Sequence, residues 1–473
     1  MLAVISDLHF EEERSDAIPD PAGVDKALAL ARNIPARAFC KVFTELAVTA
    51  ERTGAKRLDL VLAGDTIDLH RTGYWFEGSP YPPELRPYVD CAEVRKNPAL
   101  EAKTLWILER IAAEPVVSKT LSLIRMLAGG SYLVDEDDHA SLRPFGVPVT
   151  LHFLPGNHDR LTNATEKLRR RVRDLLGMPA SDAPFPHVLT FADPRVLVRH
   201  GHEYDRFNFS EDYEEFEPFP ETIPEAHYDA PCLGDFITVE VAARLPVLFR
   251  TIHGDGVVYG DPVLRQVYLR LLEFDDVRPQ SALIPFLLSI PNGPPPDAVW
   301  DTLVPVVRQL LDELSESEYL DHWLHWLHLK GVRLLLRSKV WKSGLVLGLL
   351  EKHAGTIASS GGGQPAEQVA RREAVVRNGK VRFVIAGHTH NPQVALAGRA
   401  EVAGQGQLES YFVDTGTWRK RIMLTGDPPI SGRVKALTYV TVYASNEDGG
   451  HPPIPKSESF DYWSGFTNRW ESE

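Results

Sequence analysis

The residues best suited to chemistry in this chain come in short polar clusters, each directly after an apolar run. Asp7 and His9 flank Leu8, past the run that begins at Leu2. Asp65 and Asp68 lie in Gly64-Asp65-Thr66-Ile67-Asp68, after Leu58–Ala63. Asn157, His158 and Asp159 follow Val147–Leu154 and the pair Pro155-Gly156. His200, His202 and Asp205 follow Arg195–Arg199, and His388 and His390 follow Val381–Ala386. Imidazole, carboxylate and amide oxygen are the donors that suit borderline first-row divalent ions such as Mn, Fe, Ni or Zn. Residues i and i+2 of an extended segment point to one side. Asp7 and His9 are therefore expected to grip one ion together.

Such ligands need elements that bring them to one place. The apolar runs read as buried strands, and helical patterns separate the first three. Strand, helix, strand implies a parallel pair joined by a crossover. In open α/β sheets, ligands bind beyond the carboxyl ends of the strands, where all five clusters sit. Glycines beside the ligands leave room for close approach. From Arg206 to about Lys380 the pattern turns mainly helical, with a stripe of Trp300, Leu303, Val304, Val307, Leu310, Leu311 and Leu314. Residues 71–146 are expected to form an insertion, residues 206–380 a helical insertion or cap, and residues 446–473 a loose tail. The core is then 1–205 with 381–445.

Asp-x-His, Gly-Asp-x-x-Asp, Gly-Asn-His-Asp, His-Gly-His and Gly-His-Thr-His, in this order, resemble the motifs of the calcineurin-like metallophosphoesterase superfamily. The resemblance covers residues 1–70, 147–205 and 381–420 plus the closing strand, roughly half of the chain. It implies an α/β fold, a two-sheet sandwich flanked by helices, here with a large helical insertion. It also implies two divalent ions, Mn foremost with Fe, Ni or Zn also suited. Asp7, His9 and His390 would hold one ion, Asn157, His200 and His388 the other, and Asp65 would bridge both. His158 would be the catalytic histidine, with Asp159 holding its tautomer and Asp68 orienting a ligand such as His9. The implied reaction is hydrolysis of a phosphate ester, a phosphodiester favoured, by water activated between the ions. A phosphomonoesterase, nuclease or nucleotide pyrophosphatase would use the same site, and a non-catalytic scaffold is the alternative from another class. The family pattern selects His200 over His202. His202, Asp205 and Arg206 remain as loop residues or substrate contacts.

Other features have plainer readings. Arg169, Arg170, Arg171 and Arg173 face away from an apolar stripe and read as a solvated helix face. His322 and His328 would lie roughly 120° apart on a helix, too far round to share an ion with His325. The aromatic stretch Tyr74–Tyr88 either roofs the site or packs on the insertion. A net charge of -14 argues against an extended nucleic-acid surface. Three scattered cysteines fit a reducing compartment. With no leader pattern or membrane-length apolar run, the expected location is the cytoplasm. Oligomeric state is left open.

Overall fold

Strand alternation decides the architecture. The structure is a computed structural model and describes residues 1–12, 32–136, 139–278, 282–290, 293–314, 364–402, 406–425, 430–447 and 458–467. Its strands are β1 (Leu2–Ile5), β2 (Leu58–Ala63), β3 (Ser131–Glu136), β4 (His139–Pro144), β5 (Val149–Leu154), β6 (Val188–Phe191) and β7 (Val196–Arg199). There follow β8 (Phe383–Ala386), β9 (Gln393–Val402), β10 (Gly406–Asp414), β11 (Lys420–Thr425), β12 (Ile430–Tyr443) and β13 (Ser459–Thr467). The first sheet runs β11-β12-β1-β2-β5, with β13 also on β12, and the second runs β6-β7-β8-β10-β9. β1, β2 and β5 are parallel, as are β7, β8 and β10.

Side chains alternate across each strand. Leu2, Val4, Val61, Ala63 and Leu154 point to a shared apolar layer with Val196, Val198, Phe383, Ile385 and Val413 of the second sheet. Ala3, Ile5, Leu60, Leu62 and Phe153 point the other way, onto helices. One of these is Ala36–Thr53, whose Phe39, Cys40, Phe43, Leu46, Ala47 and Ala50 are buried at helical spacing. It ends at Gly54, which takes a left-handed φ of 67°. Outward residues of the second sheet, Leu197, Val384 and Phe412, meet aromatic residues of the segment 204–228 and Val369 and Val376. The protein is thus mixed α/β, with two packed sheets between outer layers. Among the described residues no helix is long and apolar enough to cross a membrane.

The structure adds to these expectations. The segment 71–146, expected as an insertion, is the connection between β2 and β5. Its helices Pro98–Ala113 and Pro115–Ala128 bury Ile107, Leu108, Ile111, Leu121 and Ile124 in the layer beside the first sheet. Tyr74 and Trp75 are buried there too, while Tyr88 packs on Phe236 with ring centroids 5.1 Å apart. The described residues of 206–380 fall in two places. The ends of this segment cover the second sheet, and helices between Leu233 and Leu314 pack as a separate cluster that touches β11 through Ile422. The tail contributes a strand: Phe460 and Tyr462 of β13 pack against the layer between the sheets, and Glu458 pairs with Arg195 at 2.6 Å. The hairpins β3–β4 and β9–β10 were not expected, because their strands carry many polar or small residues. The sequence pattern also reads as a charged loop at 11–20, a helical stretch at 319–352 and a flexible loop at 359–363; residues 13–20, 319–352 and 359–363, with His322, His325 and His328, lie outside the described residues.

Candidate metal centre

Each ligand-bearing turn starts where a strand stops. Five of its residues take a left-handed backbone: Asp7 (φ 53°), His9 (45°), Asp65 (50°), His388 (71°) and His390 (56°). Among the described non-glycine residues only Arg195 does the same. This conformation costs an L-residue energy and persists where the surroundings impose it. Here the imposition is a set of hydrogen bonds between turns. The Asp7 amide donates to Gly64 O (3.1 Å) and the His9 amide to Asp65 O (2.8 Å). Asp7 and His9 therefore converge through left-handed turns, not through the pleat of an extended strand.

The side chains form two ligand groups around Asp65. In the first, His9 Nε2 lies 3.0 Å from His390 Nε2 and 3.7 Å from Asp7 Oδ1, and His390 Nε2 lies 3.3 Å from Asp7 Oδ1. In the second, His200 Nε2 lies 3.2 Å from Asp65 Oδ2 and 3.3 Å from Asn157 Oδ1. His388 completes it, with ligand atoms of Asp65, His200 and His388 all within 4.8 Å of one another. Asp65 Oδ2 also lies 3.7 Å from His9 Nε2, so one carboxylate faces both groups.

Partners behind the rings select the nitrogen each histidine presents. His9 Nδ1 donates to Asp68 Oδ2 (3.0 Å), which leaves Nε2 toward the first group. His200 Nδ1 donates to Ala63 O (2.9 Å), which leaves Nε2 toward the second. His388 Nε2 faces Asp205 Oδ2 at 3.1 Å, so its Nδ1 is the nitrogen left over. His158 Nδ1 bonds Asp68 Oδ1 (2.9 Å), and the His158 amide donates to Asp65 Oδ1 (2.9 Å).

That arrangement corrects the role expected of Asp159. Its carboxylate accepts from the backbone amides of Gly156 (2.6 Å) and Thr66 (2.8 Å), not from His158. It ties two ligand loops together, and Asp68 holds the catalytic candidate. His202 is buried against Phe209 and Tyr228, with its Nδ1 3.5 Å from Glu203, while His200 takes the place beside Asp65. Arg206 lays its guanidinium over its neighbour Phe207 and does not line the pocket. Arg170 and Arg171 pair with Asp182 and Glu109, whereas Arg173 is buried over the Phe185 ring.

The electrostatics ask for positive charge. Burial opposes ionisation of Asp65, yet the imidazoles of His200, His158 and His9 hold it well below the usual carboxylate range. Asp7 and Asp68 are lowered for the same kind of reason, against their burial. Burial would lower His9, but Asp68 and Asp7 lift it to about 9. Asp65 likewise lifts His200 to about 10 against burial. Burial dominates at His390, which falls to about 4, and at His202, which falls to about 3. Burial and the nearby Asp65 charge push Asp159 up to about 7. Buried carboxylates kept ionised need cations beside them. Protons on the imidazoles can fill that need, and so can divalent ions on the same nitrogens and oxygens. The donor set fits such ions.

Space between the turns comes from glycine. A Cβ on Gly64, whose φ is 89°, would collide with the His200 ring, and one on Gly387 would collide with Ser6 Oγ and Asp7 Oδ2. Sequence reasoning missed the supports of the last motif. Thr389 donates to Asp414 Oδ2 (2.6 Å), and Ser6 Oγ meets Thr415 Oγ1 at 2.5 Å. Their only sequence signal is a hydroxyl or carboxylate next to a motif. The missed pocket residues Arg278 and Asp275 carry no local signal at all. The two ligand groups open into a pocket of about 350 Å³, whose walls include Asp205, Asn208, Glu214, Asp275, Arg278 and Arg419.

No protein-family model matches this chain, and neither the curated proteins nor the solved structures give a match.

Proposed function

We propose that the chain is a metal-dependent phosphoesterase of the calcineurin-like kind, built on that superfamily's two-sheet sandwich. The observation that carries this reading is Asp65 Oδ2 facing His9 Nε2 on one side and His200 Nε2 on the other. A carboxylate shared by two imidazole-rich groups fits a pair of divalent ions. Asp7, His9 and His390 would hold one ion and Asn157, His200 and His388 the second, with Asp65 between. Such ions supply an activated water and neutralise charge on the phosphoryl group.

The chain's own residues do the rest. Burial works against a charged His158, but the Asp68 and Asp65 carboxylates raise it well above the usual imidazole range. The ring borders the pocket and is held ready to carry a proton there. It would hand that proton to the departing ester oxygen, and Asp68 would keep the ring aimed. Asp205 orients His388 and so positions a ligand without entering the reaction. The deep location of Asp7, Asp65 and Asp68, all under 2% exposed, keeps bulk water from competing for their charge.

The test is a turnover screen of Mn-loaded protein against aryl monoester, aryl diester, cyclic nucleotide, single-stranded DNA and nucleotide pyrophosphate. Metal content is measured in parallel. Retained metal with turnover of at least one ester is the expected outcome. A protein that holds no metal and turns over none of them would be a scaffold, not an enzyme. Asp65→Asn should lose metal as well as turnover, and unchanged metal content would remove Asp65 from its bridging place.

A further inference from the structure

The pocket wall nearest His390 is not part of either sheet. It comes from the short loop after the helix Pro262–Leu272, at residues 273–278. Three kinds of contact fix this loop. Its backbone bridges to β11, with the Arg278 amide donating to Ile422 O at 2.9 Å. Asp276 is buried against Arg71 (3.1 Å) and Arg419 (2.9 Å). Glu273 is buried against Lys420 (2.9 Å) and Arg433. The loop is therefore a rigid mount, and it presents Asp275 and one cation to the pocket.

That cation is Arg278. Its Nη1 donates to Asp275 O (2.7 Å) and Val277 O (2.9 Å), which sets the direction of the guanidinium. Its Nη2 lies 3.3 Å from His390 Nδ1, and the residue lines the pocket. Arg419, the other pocket cation, is already paired with Glu11 and Asp276. Among the described residues Arg278 pairs with no carboxylate within 4 Å. Its charge is held by carbonyl dipoles and remains available to a ligand. The lining also carries the acidic Asp205, Glu214 and Asp275. Arg278 is thereby the pocket guanidinium that an anion would meet.

We propose that Arg278 is a phosphoryl-oxyanion contact contributed by the helical cluster, and that it selects phosphates with a third free oxygen. This rests on the phosphoesterase reading above. A phosphodiester has two unesterified oxygens, while a monoester or a diphosphate has at least one more. A planar guanidinium suits that extra oxygen, since it donates in a fork that matches phosphate. Arg278 would then bias the site toward monoesters or diphosphates and away from simple diesters.

Equilibrium dialysis of labelled inorganic phosphate against the Mn-loaded full chain reads the contact directly. Arg278→Ala should weaken phosphate binding by about tenfold or more, and Arg278→Lys should restore part of it. Arg278→Gln keeps the chain length without the charge and serves if the alanine variant fails to fold. Arg170→Ala, on an exposed helix face, should change nothing and so excludes bulk charge. In steady state, Arg278→Ala should raise KM for an aryl phosphomonoester or a nucleotide pyrophosphate about tenfold, with KM for a methyl aryl diester nearly unchanged. Whichever of the first two shifts more is the class selected. Equal phosphate binding by the wild type and both uncharged variants would overturn the proposal, as would an equal rise in KM for the diester. If the wild type turned over no ester, the enzyme reading would fail while the dialysis still decided the anion contact.

Discussion

Asp68 holds His9 with one carboxylate oxygen and His158 with the other. A single side chain thus couples a candidate ligand to the catalytic candidate. Asp68→Asn should lower kcat by about 10- to 100-fold, the usual scale for losing such an orienting partner. It should also move the basic limb of the kcat/KM profile to lower pH. The sign follows from charge: Asp68 raises the pKa of His158, so its removal lowers that pKa, and the proton is lost earlier as pH rises. A basic limb that stays in place would mean that His158 is not the acid. His158→Ala should cost about 10²- to 10⁴-fold in turnover while metal content stays at the wild-type level. At this scale the convergence of the candidate residues was legible. Asp7, His9, Asp65, Asn157, His200, His388 and His390 could be found because motif residues are neighbours in the chain. Asp68 was found as an orienting group, but its second partner was not. Asp159 was misassigned because adjacency to His158 says nothing about direction. The carboxylate turns back to its own loop.

The loop 273–278 shows what sequence patterns cannot carry. Glu273, Asp275, Asp276 and Arg278 look like ordinary polarity at a helix end. Their meaning comes from Lys420 and Arg433 on β11 and β12, brought near only by folding. Burial works against the Glu273 charge, but Lys420 and Arg433 overcome it and bring the carboxyl from 4.5 to about 2. A group with a depressed folded-state pKa adds stability above its unfolded pKa and loses it as pH falls through the folded one. The Glu273 contribution, about 3 kcal/mol, should therefore fade between about pH 4.5 and about pH 2. Urea midpoints over that range should fall less steeply in Glu273→Gln than in the wild type. Parallel slopes would show that the pair does not anchor the helical cluster. Strands with alternating or continuous apolar residues were readable, as β1, β2, β5, β7 and β8 show. The hairpin β9–β10 and the strand β13 were not, because glycine and polar residues interrupt their apolar positions.

Across the whole molecule, the candidate ligands come from both sheets. Asp7, Asp65 and Asn157 follow strands of the first, and His200, His388 and His390 follow strands of the second. Each group takes residues from both sheets, so the apolar layer between the sheets sets the spacing within each group. β13 reinforces that layer, and Glu458 beside it binds Arg195 and Arg382 at the feet of β7 and β8. The order of the sheets could not be read from the chain. Parallel pairing could, because a helix between two apolar runs leaves little else. The helical cluster was foreseen as an excursion, but its use as one wall of the pocket depends on the bridge between Val277 and Ile422.

The clearance at Gly387 reaches beyond the site. A methyl group there would displace Asp7, so Gly387→Ala should lower metal content while circular dichroism stays close to the wild type. The first few residues of the chain and those around 387 are then one inherited unit. A hybrid gene with a crossover anywhere between them would join halves that had not adapted to each other. Recombination would leave this protein intact only where both parents already agreed on glycine at one end and on the small Ser6–Asp7 pair at the other.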